Sequence, residues 1–315
     1  MTSSAKHTAG ALLVLVLATV PLVAQPLTCK DVKVRFPDAR KVMTEKSATL
    51  VLDDTAQRLV VHCGERPLDV AYKDVQKVVV EVNTIGTKAG FGAKVIGALA
   101  GGMMFGTAVA TAIDKPFDHD HFVYLEYASS AGTQPYLVNI GRTSVPQVLG
   151  RLSAAFSDRL LVPTFDETRE SSAKFTAKGA GRRIPCIATA KQHPIPDIRP
   201  DKALIVVVMP ATINDPTAAE KRGWGAVTYL DGEPVAVAMP GTYTYFYADP
   251  GEHSVLTWVN EMVGLRMKLE AGKEYYLTQT LYPQGIKTKS FLTRHSKELV
   301  QYELLGSLFT QWSIE

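Results

Sequence analysis

Residues 118 to 121, Asp-His-Asp-His, form the most metal-like stretch of the chain. In an extended segment alternate side chains share a face, so His119 and His121 could present two imidazoles to one ion. No further ligand cluster stands near them. A solvated polar loop re-entering a sheet is therefore the stronger reading, and no metal or cofactor is expected. The serines have no Gly-x-Ser-x-Gly elbow around them. His295 opens the run His-Ser-Lys-Glu, where Ser296 suits a helix cap and Glu298 the first helical turn. That pattern marks a helix start more than a general base. His193, among prolines, reads as a loop residue. Gly181-Arg182-Arg183 could meet an anionic lipid or a partner, but a solvated linker is the stronger reading. Gly90-Phe91-Gly92 is a lone fragment with neither a Lys-Ser/Thr pair nor a Gly-x-Gly-x-x-Gly after a strand, so a nucleotide loop is excluded. With no nucleophile, base and oxyanion donor in view, a non-enzymatic role is expected. A hydrolytic enzyme with residues far apart in sequence is the alternative.

The chain has 3 cysteines, Cys29, Cys63 and Cys186, and no Cys-x-x-Cys spacing for zinc. In an oxidising compartment Cys29 and Cys63, which fall in the same half, are the expected disulfide, leaving Cys186 free. Such a compartment is indicated by the first 25 residues. Lys6 and His7 precede the apolar run Ala9–Ala24, which contains Pro21 and ends in a small residue. These are the parts of a secretory signal peptide. A buried first helix would show a polar face, and this run has none. Cys29 follows Gln-Pro-Leu-Thr, without the small residue that precedes a lipidated cysteine. Export to the periplasm, the envelope or the medium is expected. The formal net charge is only +3 and the basic residues are dispersed, so nucleic acid is not expected as a partner.

Residues 89–116 are an apolar insertion whose centre, Val95–Ile113, carries no charge. A spanning helix needs about 20 mostly apolar residues, and this stretch nearly qualifies. Its strongly apolar members include Val95, Ile96, Leu99, Met103, Met104 and Phe105. They are diluted by Gly, Ala and Thr, so insertion as one span is marginal. Gly97 and Gly101 stand four apart, as do Gly102 and Gly106, a spacing that lets helices approach closely. Strands on both sides belong to one sheet, which a single crossing would tear apart. A hairpin bent at Gly101-Gly102 keeps both ends on one side. Three arrangements remain open: a hairpin dipping into a bilayer, packing on the protein's own surface, and association with a second copy. The partners expected are thus a membrane surface, an envelope protein or a homo-oligomer.

The flanking segments read as strands. Runs beginning at Val32, Ala48, Arg58, Leu68, Val75 and His121, and a last one at Tyr136–Ile140, are β-rich and separated by turn formers. Ser144 with Gln147 three residues on has capping-box spacing, and Pro146 falls in the first helical turn. Val145, Val148, Leu149, Leu152 and Phe156 then recur with helical period, so a helix should plug an open end or edge of this sheet. The run Tyr72–Val82, then His121–Tyr127, then this helix resembles a bacterial pleckstrin-homology-like domain over roughly residues 45 to 160. The resemblance implies a bent antiparallel sheet capped by a helix. The phosphate-binding basic cluster is absent, so phosphoinositide binding is not carried over. The first domain is placed at 29–160.

Composition marks 161–200 as a linker, with a short strand near Cys186. Ala203–Pro210 is a continuous apolar run, suited to a buried central strand. Asp231-Gly232 is the strongest short hairpin signal, Pro250-Gly251 marks another turn, and a strand pair is expected around Ala271-Gly272. Ser296–Phe309 reads as a terminal helix. Residues Val227–Val255 and Leu269–Leu277 resemble a small transthyretin-like β-sandwich domain of unknown function found in bacterial lipoproteins and periplasmic proteins. That family brings no catalytic residues. The second domain is placed at 201–315. The whole is expected to be mainly β: a bent, helix-capped sheet plus a small sandwich. It is read as an exported cell-envelope binding or structural protein, with an oligomeric assembly subunit as a further alternative.

Overall fold

The computed structural model describes residues 25–37, 43–82, 121–171, 186–189, 194–210, 225–258, 262–284 and 287–312. The expected signal peptide and the apolar insertion with His119 lie outside the described residues. The fold is mainly β, and the described residues contain two α-helices.

The first unit is one eight-stranded sheet. Its strands are β1 (Leu27–Pro37), β2 (Met43–Asp53), β3 (Arg58–His62), β4 (Leu68–Ala71), β5 (Val75–Glu81), β6 (His121–Ser129), β7 (Gly132–Ile140) and β8 (Leu160–Leu161). The order is β4-β3-β2-β1-β7-β6-β5-β8. Alternation sets the faces: Val34, Leu50, Leu52, Val61, Val78, Val138 and their neighbours fill one core. Helix α1 (Val145–Phe156) covers that core with Val145, Val148, Leu149, Leu152 and Phe156, all buried, as the helical spacing requires. The expected capping box is not made. A 3-10 turn at Arg142–Ser144 runs directly into α1, which leaves Ser144 with helical dihedrals and no side-chain cap bond. Its hydroxyl bonds the Cys29 thiol instead. The β6–β7 turn is also tighter than its sequence suggests, because the ladder continues to the Ser129–Gly132 pair.

The expected Cys29–Cys63 disulfide is not formed, and both thiols are free and buried. Cys29 opposes Leu50 on β2, whose other neighbour is Val61 on β3, so a whole strand separates the cysteines. Two strand spacings come to about 9–10 Å, beyond the roughly 7 Å that a disulfide spans.

The second unit is a pair of stacked sheets. One has the order β10-β19-β14-β11-β17-β18 and the other β13-β12-β15-β16-β9. Their strands are β9 (Thr168–Ser171), β10 (Cys186–Thr189), β11 (Ala203–Met209), β12 (Ala226–Leu230), β13 (Glu233–Ala238), β14 (Thr242–Ala248), β15 (Gly251–Trp258), β16 (Met262–Leu269), β17 (Glu274–Gln284), β18 (Lys287–His295) and β19 (Leu308–Trp312). Helix α2 (Lys297–Leu304) precedes β19. The expected terminal helix is therefore shorter than its sequence run: it stops before Gly306, and the chain returns as a strand. The expected linker does more than connect, since β9 and β10 each add an edge strand to one sheet.

The Asp231-Gly232 hairpin forms between β12 and β13, with φ of 51° and 91° at its two central residues. The pair expected around Ala271-Gly272 does not. β16 and β17 lie in different sheets, so this turn is a corner between layers. The Gly272 N–H donates to the Lys202 carbonyl and the Leu204 N–H to the Lys273 carbonyl, which sets β17 parallel to β11. Pro250-Gly251 makes a second corner, from β14 to β15. There His253 ties the motif down, with Nδ1 2.6 Å from Asp231 Oδ2 and Nε2 2.9 Å from the Asp249 carbonyl.

Strand β11 is buried on both faces. Ala203, Ile205 and Val207 face the stacked-sheet core. Leu204, Val206 and Val208 join Met43, Val79, Phe122, Tyr124 and Leu137 of the first unit. The two units thus share a core. Leu152→Ala should lower stability by about 2–5 kcal/mol through a lost side chain and a cavity. Gly264→Ala should lower it by about 1–3 kcal/mol through overpacking, because a Cβ there would sit 2.6 Å from the Val255 carbonyl oxygen. Urea midpoints of the two variants measure both effects.

Candidate functional site at the seam between the units

The seam is built from strand ends and one helix. β5 carries the apolar run Val78-Val79-Val80, buried throughout, and then Glu81, which is 6 % exposed. Glu81 pairs with Phe122 at the start of β6. Across the seam, β18 ends at His295 and Ser296 caps α2. One carboxylate meets all of these groups. His295 Nδ1 is 2.6 Å from Glu81 Oε2. The Ser296 N–H donates to Glu81 Oε1 at 2.8 Å, and the Ser296 hydroxyl donates to the same oxygen. The Phe122 ring stands edge-on to the imidazole at 6.0 Å between centroids.

Serine, histidine and a carboxylate together invite comparison with a hydrolytic triad, but the connectivity differs. In a triad the hydroxyl bonds the imidazole, which removes its proton. Here the Ser296 hydroxyl donates to the carboxylate and accepts the Leu299 N–H at 3.4 Å, so it works as a helix cap. The arrangement holds surfaces together.

Further charged contacts line the seam. Arg35 Nε on β1 lies 2.9 Å from Glu303 Oε1 on α2, an ion pair whose N–H is not aimed at the oxygen. The Tyr302 hydroxyl donates to the Arg35 carbonyl at 2.9 Å. Burial pushes the Glu303 carboxyl above the ordinary carboxylate range, against the pull of Arg35 and His295. Lys77 on β5 reaches Glu298 at 2.8 Å. Burial raises Glu298, but the Lys77 hydrogen bond and the α2 N-terminal N–H outweigh it and leave the carboxyl below its usual value. On the opposite face of β18, toward the core between the stacked sheets, Arg294 stacks near Phe165 and Tyr275 at 4.9 and 4.8 Å and faces Glu167 at 3.7 Å. Burial raises the Glu167 carboxyl as well.

A cleft of about 320 Å³ opens beside α2, between Ile195–Ile198 and the start of β17. Tyr276, Gln301 and the ion pair Lys297–Glu274, 2.6 Å long, line it.

Of the residues singled out in the sequence, His295, Ser296 and Glu298 come together here, in the capping role their spacing suggests. His121 is fully buried at the start of β6, opposite Ile140. Parity places it on the face of Val123 and Leu125, toward the first core. His119 and the insertion residues Val95 to Gly106 lie outside the described residues. Among the described residues no group of three His, Cys, Asp or Glu could hold a metal ion, and no helix is long and apolar enough to cross a membrane. Sequence reasoning missed Glu81. Its available signal was a lone carboxylate within the apolar run Val-Val-Val-Glu-Val.

Truncating Glu81 leaves the buried His295 and Ser296 groups that it binds without their acceptor. Glu81→Ala should therefore destabilise the protein by about 1–3 kcal/mol, read as a lower urea midpoint. Ser296→Ala should cost about 1 kcal/mol or somewhat more, the usual loss of a helix cap. No protein-family model and no curated protein matches this chain.

Proposed function

We propose that the protein is an exported cell-envelope module with a binding or structural role, held at a membrane surface or an envelope partner by the apolar insertion at 89–116. The observation that carries this is the pairing of Glu81 with Phe122. It sets the two ends of the intervening segment about 5 Å apart on neighbouring antiparallel strands. An excursion rooted in this way leaves and returns on the same side of the sheet, as an apolar hairpin dipping into a bilayer must. The seam braces that root, because Glu81 and Phe122 both touch His295.

The first unit is proposed to be a pleckstrin-homology-like domain. Its strand order and the position of α1 after β7 support this. The second is proposed to be a transthyretin-like sandwich, supported by its two stacked sheets around one core.

Carbonate extraction of cell fractions tests the proposal. The full chain should stay in the membrane pellet. Deletion of Val95–Ile113 should move it to the soluble fraction without changing its thermal unfolding. A full chain that is already carbonate-soluble overturns membrane insertion. A deletion variant that fails to fold assigns the segment to the protein's own core. Loss of a larger species on a sizing column, without a change in fractionation, assigns it to self-association.

A further inference from the structure

The carboxylates on and around the seam divide into two kinds. Glu45 faces Lys33 and Arg35, Glu303 faces Arg35, Glu167 faces Arg294, Glu298 faces Lys77 and Glu274 faces Lys297. Glu126 stands beside Lys77 across the β5–β6 ladder. Each of these has a permanent cation. Glu81 differs: its charged contact is His295, and its other donors are the Ser296 N–H and hydroxyl. With side-chain exposures of 7 % and 8 %, Glu81 and His295 have little water to screen them.

We infer that His295 is held as an imidazolium at neutral pH, as the counter-charge of Glu81, and that its deprotonation loosens the seam as pH rises. The geometry survives deprotonation, since a neutral imidazole can still donate Nδ1–H. What is lost is the charge, which leaves a buried carboxylate without a cation. The sign follows from linkage. A histidine that binds its proton more tightly in the folded chain contributes stability that is fully present below the unfolded value, about 6.5. That contribution disappears as pH rises through the folded value. Two buried carboxyls act in the same sense. Burial raises Glu303 and Glu167, and both feel the His295 charge. Their ionised forms are disfavoured, so they too favour folding more at low pH. Glu298, held down by Lys77, acts oppositely, but only on the acid side of the ordinary carboxylate range.

The device is independent of any membrane contact and is tested on the full chain in detergent solution. Imidazole resonances of the 7 histidines are followed by NMR from pH 5 to 10, with His295→Gln identifying the resonance that disappears. The His295 midpoint should lie about one pH unit above that of an unstructured histidine, equivalent to roughly tenfold tighter proton binding. Urea midpoints should fall between pH 6 and 9 in the wild type and stay flatter in His295→Gln. In Glu81→Gln the imidazole midpoint should drop back toward the unstructured value. A His295 midpoint at or below that value in the wild type overturns the inference, and so does a pH profile that His295→Gln leaves unchanged. If the variants fail to fold, sequence-specific assignment of the wild-type imidazole still decides the matter.

Discussion

Strand β11 has no polar face. All seven of its residues are buried, between 0 and 1 % exposed, and it sits in the middle of its sheet between β14 and β17. A strand of that kind must be covered on both sides. The second sheet covers one side and the first unit, together with α2, covers the other. Burying Leu204, Val206 and Val208 stabilises the pairing by roughly 1.5–3 kcal/mol per side chain. The second unit could not part from the first without wetting that face. The three sheets of the described residues are thus stacked, and the middle one belongs to two cores at once.

This constraint explains why the segment between the units is partly structured. Residues that compose like a linker contribute β9 and β10 to the two sheets of the second unit, and Phe165 and Glu167 are pinned by Arg294. Apolar burial brings the layers together without choosing a register. The polar contacts choose it, because Glu81 with His295 and Arg35 with Glu303 allow only one mutual placement. Buried ion pairs are weak sources of net stability, since desolvation offsets much of their attraction, and a registering role suits them better.

Local features were legible in the sequence to the extent that their causes were local. The stripe of α1, the unbroken apolar run of β11 and the Asp231-Gly232 turn all follow from spacing within a few residues. The Pro250-Gly251 and Ala271-Gly272 turns were visible as turns. That they cross between layers was not, because this depends on β17 finding β11 rather than β16. Ser144 has the composition of a cap, yet the preceding 3-10 turn removes the geometry a cap requires. The cysteines share a half of the chain but are kept apart by β2. The seam was the least legible part, since Glu81 and His295 are 214 residues apart and neither has a local motif naming the other.

The rung joining Glu81 to Phe122 has a mechanical corollary. Prising apart the two chain ends at that rung would load the β5–β6 ladder in unzipping mode, opening one pair at a time from its weakest geometry. Drawing both ends outward together would load it differently, as shear of β5 and β6 against β7 and β8, where many hydrogen bonds resist at once. The α2 cap grips the first rung to open in the unzipping case and so acts as a stopper. The body is built to bear a concerted tug far better than a splitting one.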